Sequence, residues 1–198
     1  MAGLSLQCGF AHCVAPGLSV CGDLAVVHRF TDGAVLAAID GIGHGEEAAA
    51  AAHVAAEVIA RAPLDSPVSL VTRCHEALRD TRGVVLSIAS FDLRRPSLTW
   101  LGVGNVMGLL QHPGVRSGGR DELLLRAGVV GAASLPNLQP SDISLRRLDT
   151  LILATDGIRP QFADAVTFGG SPQSVADEIL ANYCNGGDDA LVLVARLS

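Results

Sequence analysis

Ala34-Val35-Leu36-Ala37-Ala38-Ile39-Asp40-Gly41-Ile42-Gly43-His44-Gly45 is the stretch on which the reading of this chain turns. Six small or branched apolar residues in a row read as a buried strand, and three glycines then break it into a tight loop. Asp40 closes the strand, so its carboxylate points into open space from a rigid element. The glycines beside it let backbone carbonyls approach a ligand closely. Upstream, Leu24-Ala25-Val26-Val27-His28-Arg29-Phe30 reads as a second strand, with Thr31-Asp32-Gly33 as the turn between the two. Strands joined through Asp-Gly form an antiparallel hairpin. That sets Asp23, at the start of one strand, beside Asp40, at the end of the other.

Working outward, the alanine-rich run 46–61 predicts a helix. Its polar face carries His53, Glu57 and Arg61, its apolar face Ala51, Ala55 and Ile59, and Glu46 and Glu47 suit its first turn. Ser66-Pro67 caps a second helix to about residue 80, with Leu70, Cys74 and Leu78 facing inward. Residues 84–91, 97–103 and 106–111 predict a meander of strands, turning at Arg95-Pro96 and at Gly102-Val103-Gly104-Asn105. An exposed loop over 112–120, a strand over 122–126 and a long connection over 128–141 follow. A strand over 149–155 stops at Asp156-Gly157, and Ser171-Pro172 caps a last helix to about Cys184 that buries Val175, Ile179 and Leu180. Asn185-Gly186-Gly187-Asp188-Asp189 then opens a terminal strand over 190–196. At the N-terminus, 4–7 and 18–20 read as short edge strands around a turn at Ala15-Pro16-Gly17. No internal repeat or linker interrupts the chain, so one domain over residues 1–198 is expected. Runs of strands broken by pairs of helices give α+β layering rather than a wound βαβ sheet.

With 198 residues, 49% apolar and 17% charged, the chain has the material for a full core. A net charge of -6 lacks the basic surface that nucleic acid requires, so no nucleic-acid partner is expected. No apolar run approaches the ~20 residues of a membrane helix, and no basic start precedes an apolar block, so neither a membrane segment nor a signal peptide is expected. Cys8, Cys13, Cys21, Cys74 and Cys184 are odd in number, scattered and without a Cys-x-x-Cys pair. They read as reduced thiols of a cytoplasmic protein rather than a zinc site.

Four times an aspartate borders an apolar strand and is flanked by glycine: Gly22-Asp23, Asp40-Gly41, Asp156-Gly157 and Gly187-Asp188. In antiparallel sheets the end of one strand lies beside the start of its neighbour, so all four can converge on one rim. Gathered carboxylates repel one another unless a cation neutralises them. Oxygen donors without His or Cys select hard ions, magnesium or manganese. Two such ions about 3.5–4 Å apart activate a water for attack on phosphorus. A single Asp-Gly is more often a turn, as Asp32-Gly33 reads here, so spacing leaves both readings open.

Cys-Gly-Asp, Asp-Gly-Ile-Gly-His-Gly, Gly-Val-Gly-Asn, Leu-Ile-Leu-Ala-Thr-Asp-Gly-Ile and Gly-Gly-Asp-Asp occur in this order across residues 21–194. This ordered set resembles the PPM (type 2C) metal-dependent serine/threonine phosphatases, and within them the SpoIIE-like bacterial branch. With no sensory or membrane segment upstream, the chain is most similar to that branch's stand-alone stressosome phosphatases. The resemblance implies an αββα sandwich of two antiparallel sheets flanked by helices. It also implies hydrolysis of phosphoserine or phosphothreonine by metal-activated water, using manganese or magnesium, as two ions. The implied substrates are phosphorylated stressosome-type regulators of bacterial stress signalling.

Carried over by motif, Asp40 bridges both ions and the Gly41 carbonyl holds the second. Asp156 and Asp188 bind the first, making Asp40, Asp156 and Asp188 the catalytic set. Asp23 acts directly or through a water, and Asp189 is either a further ligand or a support behind Asp188. Leu191 stands where the branch usually has Thr. Ile42 stands where eukaryotic relatives carry a His assigned as general acid, which leaves His44 as proton donor or as a loop residue. Arg29, Arg82 and Arg159 are candidates for the phosphate by presence alone. The alternative function is a PPM-like binding module that docks a signalling partner without catalysis, although the carboxylate set is intact.

Overall fold

The computed structural model describes residues 4–113, 119–165 and 169–198. Two sheets lie face to face. One has the order β1 (Leu6–Cys13), β11 (Ala190–Leu197), β10 (Thr150–Ala154), β6 (Met107–Gln111), β7 (Arg120–Glu122). The other runs β2 (Asp23–Phe30), β3 (Gly33–Gly41), β4 (Val84–Asp92), β5 (Ser97–Val103), β8 (Leu125–Arg126), and β9 (Ser141–Ser144) also pairs with β5. Every pairing is antiparallel except β5 with β8, so the expected α+β, αββα sandwich holds with one parallel seam at an edge.

Alternation along the strands explains the layers. On β3, Ala34, Leu36 and Ala38 face the other sheet, meeting Leu151, Leu153, Leu191 and Leu193 in the core between the sheets. Val35, Ala37 and Ile39 face outward onto α1 (Glu46–Arg61) and α2 (Pro67–Ala77), packing with Ala51, Ala55, Ile59 and Leu70. On the far side, Val192 and Val194 face Val175, Ala176 and Ile179 of α4 (Pro172–Tyr183). With both faces buried, these central strands read as unbroken apolar runs. Each fully buried Leu or Ile adds about 1.5–3 kcal/mol.

The helix over 46–61 and the hairpin of β2 and β3 lie where the sequence places them, and Ser66 and Ser171 cap their helices, accepting from the amides of Ser69 and Ser174. Four expectations are corrected. Residues 18–20 form no strand; β1 instead runs on to Cys13, and the Ala15-Pro16-Gly17 turn brings the chain to β2. The meander over 84–111 is broken, because β6 leaves β5 and joins the opposite sheet. Gly104, at φ +100°, makes this crossing, and a Cβ there would lie 2.2 Å from Val85 Cγ1. The single strand over 122–126 is two pieces, β7 and β8, one on each sheet. Within the long connection, β9 and, before α4, the short α3 (Phe162–Ala165) were not foreseen. Residues 114–118 of the expected loop lie outside the described residues. Among the described residues, no helix is long and apolar enough to cross a membrane.

Candidate active site

β2 and β3 pair Asp23 directly with Asp40. The neighbouring pair, Gly22 and Gly41, is joined by Gly41 N–H donating to the Gly22 carbonyl at 3.1 Å. Asp23 and Asp40 therefore occupy a non-hydrogen-bonded position, where side chains stand closest. Both continue the face of β2 and β3 that looks at the other sheet. From that sheet come Asp156, two residues past the end of β10, and Asp188, two residues before β11. Asp40, Asp156 and Asp188 line one open cleft of about 510 Å³, together with Ile42, Gly43, His44, Gly104 and Asn105. Asp23 lies beneath them, 6% exposed.

Hydrogen bonds hold these carboxylates in place. Thr155 Oγ1 donates to Asp23 Oδ2 at 2.6 Å and accepts from Leu191 N–H at 2.8 Å. Asn105 Nδ2 donates to Asp156 Oδ2 at 2.7 Å. Asp188 Oδ1 accepts from the Asp189 amide at 2.8 Å. Asp189 itself is 4% exposed, and both its oxygens are engaged, by Ala15 N–H and by Gly22 N–H, each at 2.7 Å. Of the two roles left open for Asp189, its placement is that of a brace between the sheets. The brace has a second effect. An unbroken ladder would aim the Gly22 amide at the Gly41 carbonyl; here the amide goes to Asp189, so the Gly41 carbonyl is outside the β2–β3 ladder.

Burial raises both paired aspartates. Asp40 is pushed up to about 8, first by burial and then by the charges of Asp23, Asp156, Asp188 and Asp189. Asp23 is pushed up to about 7 by burial, opposed by the Thr155 hydroxyl and aided by the neighbouring carboxylates. Such shifts reflect burial first and neighbouring like charge second, and a hard divalent cation is the partner that all-oxygen donors suit. Among the described residues, no three His, Cys, Asp or Glu side chains are already closed around a common point. The fit to a metal thus lies in the chemistry of the donors and in their sharing one cleft.

Among the described residues, no arginine lines the cleft. The Arg82 guanidinium lies beside Gly43 and pairs with Glu47. Arg159 donates to the Asn182 carbonyl at 2.7 Å, and Arg29 is exposed on β2. His44 is exposed at the cleft wall. Sequence reading missed two participants, Asn105 and Thr155. Asn105 reads as part of a turn in the sequence; Thr155 follows Leu151 and Leu153 at every second position, a parity that points it inward to Asp23.

Comparison with known proteins agrees with this fold. The family model of stage II sporulation protein E (SpoIIE) matches residues 31–198. The phosphoserine phosphatase RsbX of Bacillus subtilis (strain 168) is 22% identical over 183 residues, covering 92% of this chain and 90% of RsbX. A solved structure concerned with the bacterial stressosome, as a modular system adapted to control secondary messenger signalling, is 28% identical with a TM-score of 0.88, covering 97% of this chain and 100% of its own. A crystal structure of RsbX in complex with magnesium superposes with a TM-score of 0.86 at 22% identity, covering 98% and 96%.

Proposed function

Because the chain belongs to the SpoIIE family of PP2C-type phosphatases, we propose that it is a divalent-metal-dependent protein phosphatase acting on phosphoserine or phosphothreonine. The observation that carries this reading is the meeting of Asp40, Asp156 and Asp188, from three distant parts of the chain, in one cleft above Asp23. Asp40, Asp156, Asp188 and the Gly41 carbonyl would hold manganese or magnesium, as two ions, with Asp23 acting directly or through a water. When bound, such ions supply an activated water and offset the charge gathering on the phosphoryl oxygens.

The chain's own residues set the stage for that chemistry. Asn105 fixes one oxygen of Asp156, leaving the other for the cleft. Thr155 fixes one oxygen of Asp23. Burial of Asp40, with like charge crowded around it, favours a cation as its partner. His44, exposed at the wall, is the candidate to hand a proton to the departing serine or threonine oxygen. An open cleft admits a phosphorylated loop on a larger protein. The reading takes phosphorylated stressosome-type regulators as substrates and the cytoplasm as the place, with residues 1–198 acting as one phosphatase domain.

Hydrolysis of p-nitrophenyl phosphate with manganese, against a chelator control, is the test. Activity should appear with metal, and Asp40→Asn and Asp156→Asn should each abolish most of it. If both variants retain parent activity, the assignment is wrong. If the parent itself shows no metal-dependent turnover on this ester or on phosphoprotein, the chain is a docking module instead. The Asp40→Asn chain then serves as bait for phosphorylated partners.

A further inference from the structure

Two thiols that the proposed reaction does not use lie against each other. Cys13 Sγ and Cys184 Sγ are 3.1 Å apart, both free and partly exposed. Cys13 ends β1, and Cys184 caps the C-terminus of α4. The β1 side is firmly held. All eight of its residues are in register with β11, and Gln173 of α4 brackets Phe10, accepting from its N–H at 3.2 Å and donating to its carbonyl at 2.9 Å. The Cys184 side is held more lightly, by a single-residue bridge to Ile158. It opens into Asn185-Gly186-Gly187, with Gly186 at φ +72°, and so leads to Asp188. Asn185 also touches the other strand end of the cleft, its N–H donating to the Gly157 carbonyl at 2.8 Å and its Nδ2 to the Asp156 carbonyl at 3.3 Å.

We propose that Cys13 and Cys184 form a reversible disulfide, made by a hydroperoxide such as hydrogen peroxide, that lowers the divalent-ion affinity of the cleft through the Asn185–Asp188 loop. The coupling rests on the reading of the cleft as an ion site; the disulfide does not. One thiolate attacks a peroxide oxygen, the O–O bond breaks, and hydroxide leaves and takes up a proton, giving a sulfenic acid. The second thiolate attacks that sulfur, the S–S bond forms, the S–OH bond breaks, and a second water departs. Two thiols lose two electrons, the peroxide gains them, and two waters complete the balance. The sulfurs must close from 3.1 Å to about 2.05 Å. With β1 locked in its ladder, this shift passes into the glycine turn that carries Asp188. Burial and the neighbouring thiol push Cys13 up to about 12, which slows the reaction but makes the finished bond resistant to reduction. The pair therefore answers sustained rather than brief oxidation.

The test treats the metal-stripped full chain with hydrogen peroxide, alkylates the remaining thiols, digests without reductant and finds linked peptides by mass. In parallel, manganese binding is measured by the resonance signal of the free ion. A Cys13–Cys184 peptide pair is expected, with manganese affinity about tenfold weaker in the oxidised chain, the scale of losing a group that orients ligands, and restored by dithiothreitol. Cys13→Ser and Cys184→Ser should each keep the affinity of the reduced chain and lose the response to peroxide. A Cys13–Cys21 bridge, or no bridge, overturns the proposal; so does a fully bridged chain with unchanged affinity. A reduced chain that binds no manganese overturns the cleft reading and the coupling with it, while the mass still decides the disulfide.

Discussion

Replacing Asp189 with Asn separates bracing from ligation. Both carboxylate oxygens accept backbone amides, Ala15 and Gly22, at 2.7 Å in a place 4% exposed. Asn keeps one acceptor, but its NH2 meets the second amide as donor against donor. That orphaned buried N–H costs about 2 kcal/mol, and loss of charge assistance in the retained bond about 1 kcal/mol, giving about 3 kcal/mol in all. In a chain of this size, that lowers the melting temperature by about 6–12 °C. The measurement is urea unfolding in chelator, followed by the fluorescence of the buried Trp100, so that metal linkage does not enter. Asp188→Asn is the counterpart. Exposed, and among the described residues bonded only to the next amide, it should change stability by under about 0.5 kcal/mol while weakening manganese binding. If Asp189→Asn instead unfolds within 1 kcal/mol of the parent (roughly the scale of one neutral hydrogen bond) and loses manganese, the bracing role is refuted and Asp189 is a ligand.

Three further outcomes follow from the geometry. Asn105→Ala removes the donor to Asp156 and should weaken manganese binding about 10–100-fold with little change in unfolding; unchanged affinity in the same titration refutes it. Gly41→Ala would put a Cβ 2.1 Å from the Ala48 carbonyl oxygen and should cost about 2 kcal/mol of overpacking by urea unfolding. For pH, Asp23 at about 7 and Asp40 at about 8 hold protons in the folded chain that the unfolded chain has already released. The folded state binds more protons across this window, so metal-free stability should fall as pH rises from about 4 through about 8. Melting curves in chelator should show that slope, Asp40→Asn should flatten it, and manganese affinity should climb over the same range as the protons leave.

The parts of the fold legible in the sequence are those whose cause is local. The alanine run with two leading glutamates makes α1 between the bounds read from it, and the Asp-Gly turn fixes the register that sets Asp23 opposite Asp40. The passage from β5 to β6 was not legible, because Gly-Val-Gly-Asn serves a hairpin and a crossing equally well. What decides is remote: Val106 is buried between the sheets, and its carbonyl accepts from Ser87 Oγ on β4 at 2.5 Å. The split of residues 120–126 between two sheets has the same character, since Leu123 and Leu125 both face the inner core whichever edge their backbone joins. At the site, glycine-flanked aspartates announced themselves, whereas Asn105 and Thr155 look like ordinary turn and strand residues until their partners arrive from far along the chain.

The cleft takes Asp40, with Asp23 beneath it, from one leaf of the sandwich and Asp156 and Asp188 from the other. An ion gripped there is therefore a clasp, and its binding energy is spent holding the leaves shut. At a hundredfold excess over its dissociation constant the clasp adds about 2.7 kcal/mol. The supply of divalent ions would then govern how firmly the molecule stays closed as well as how fast it turns over, because either leaf alone offers only half a grip.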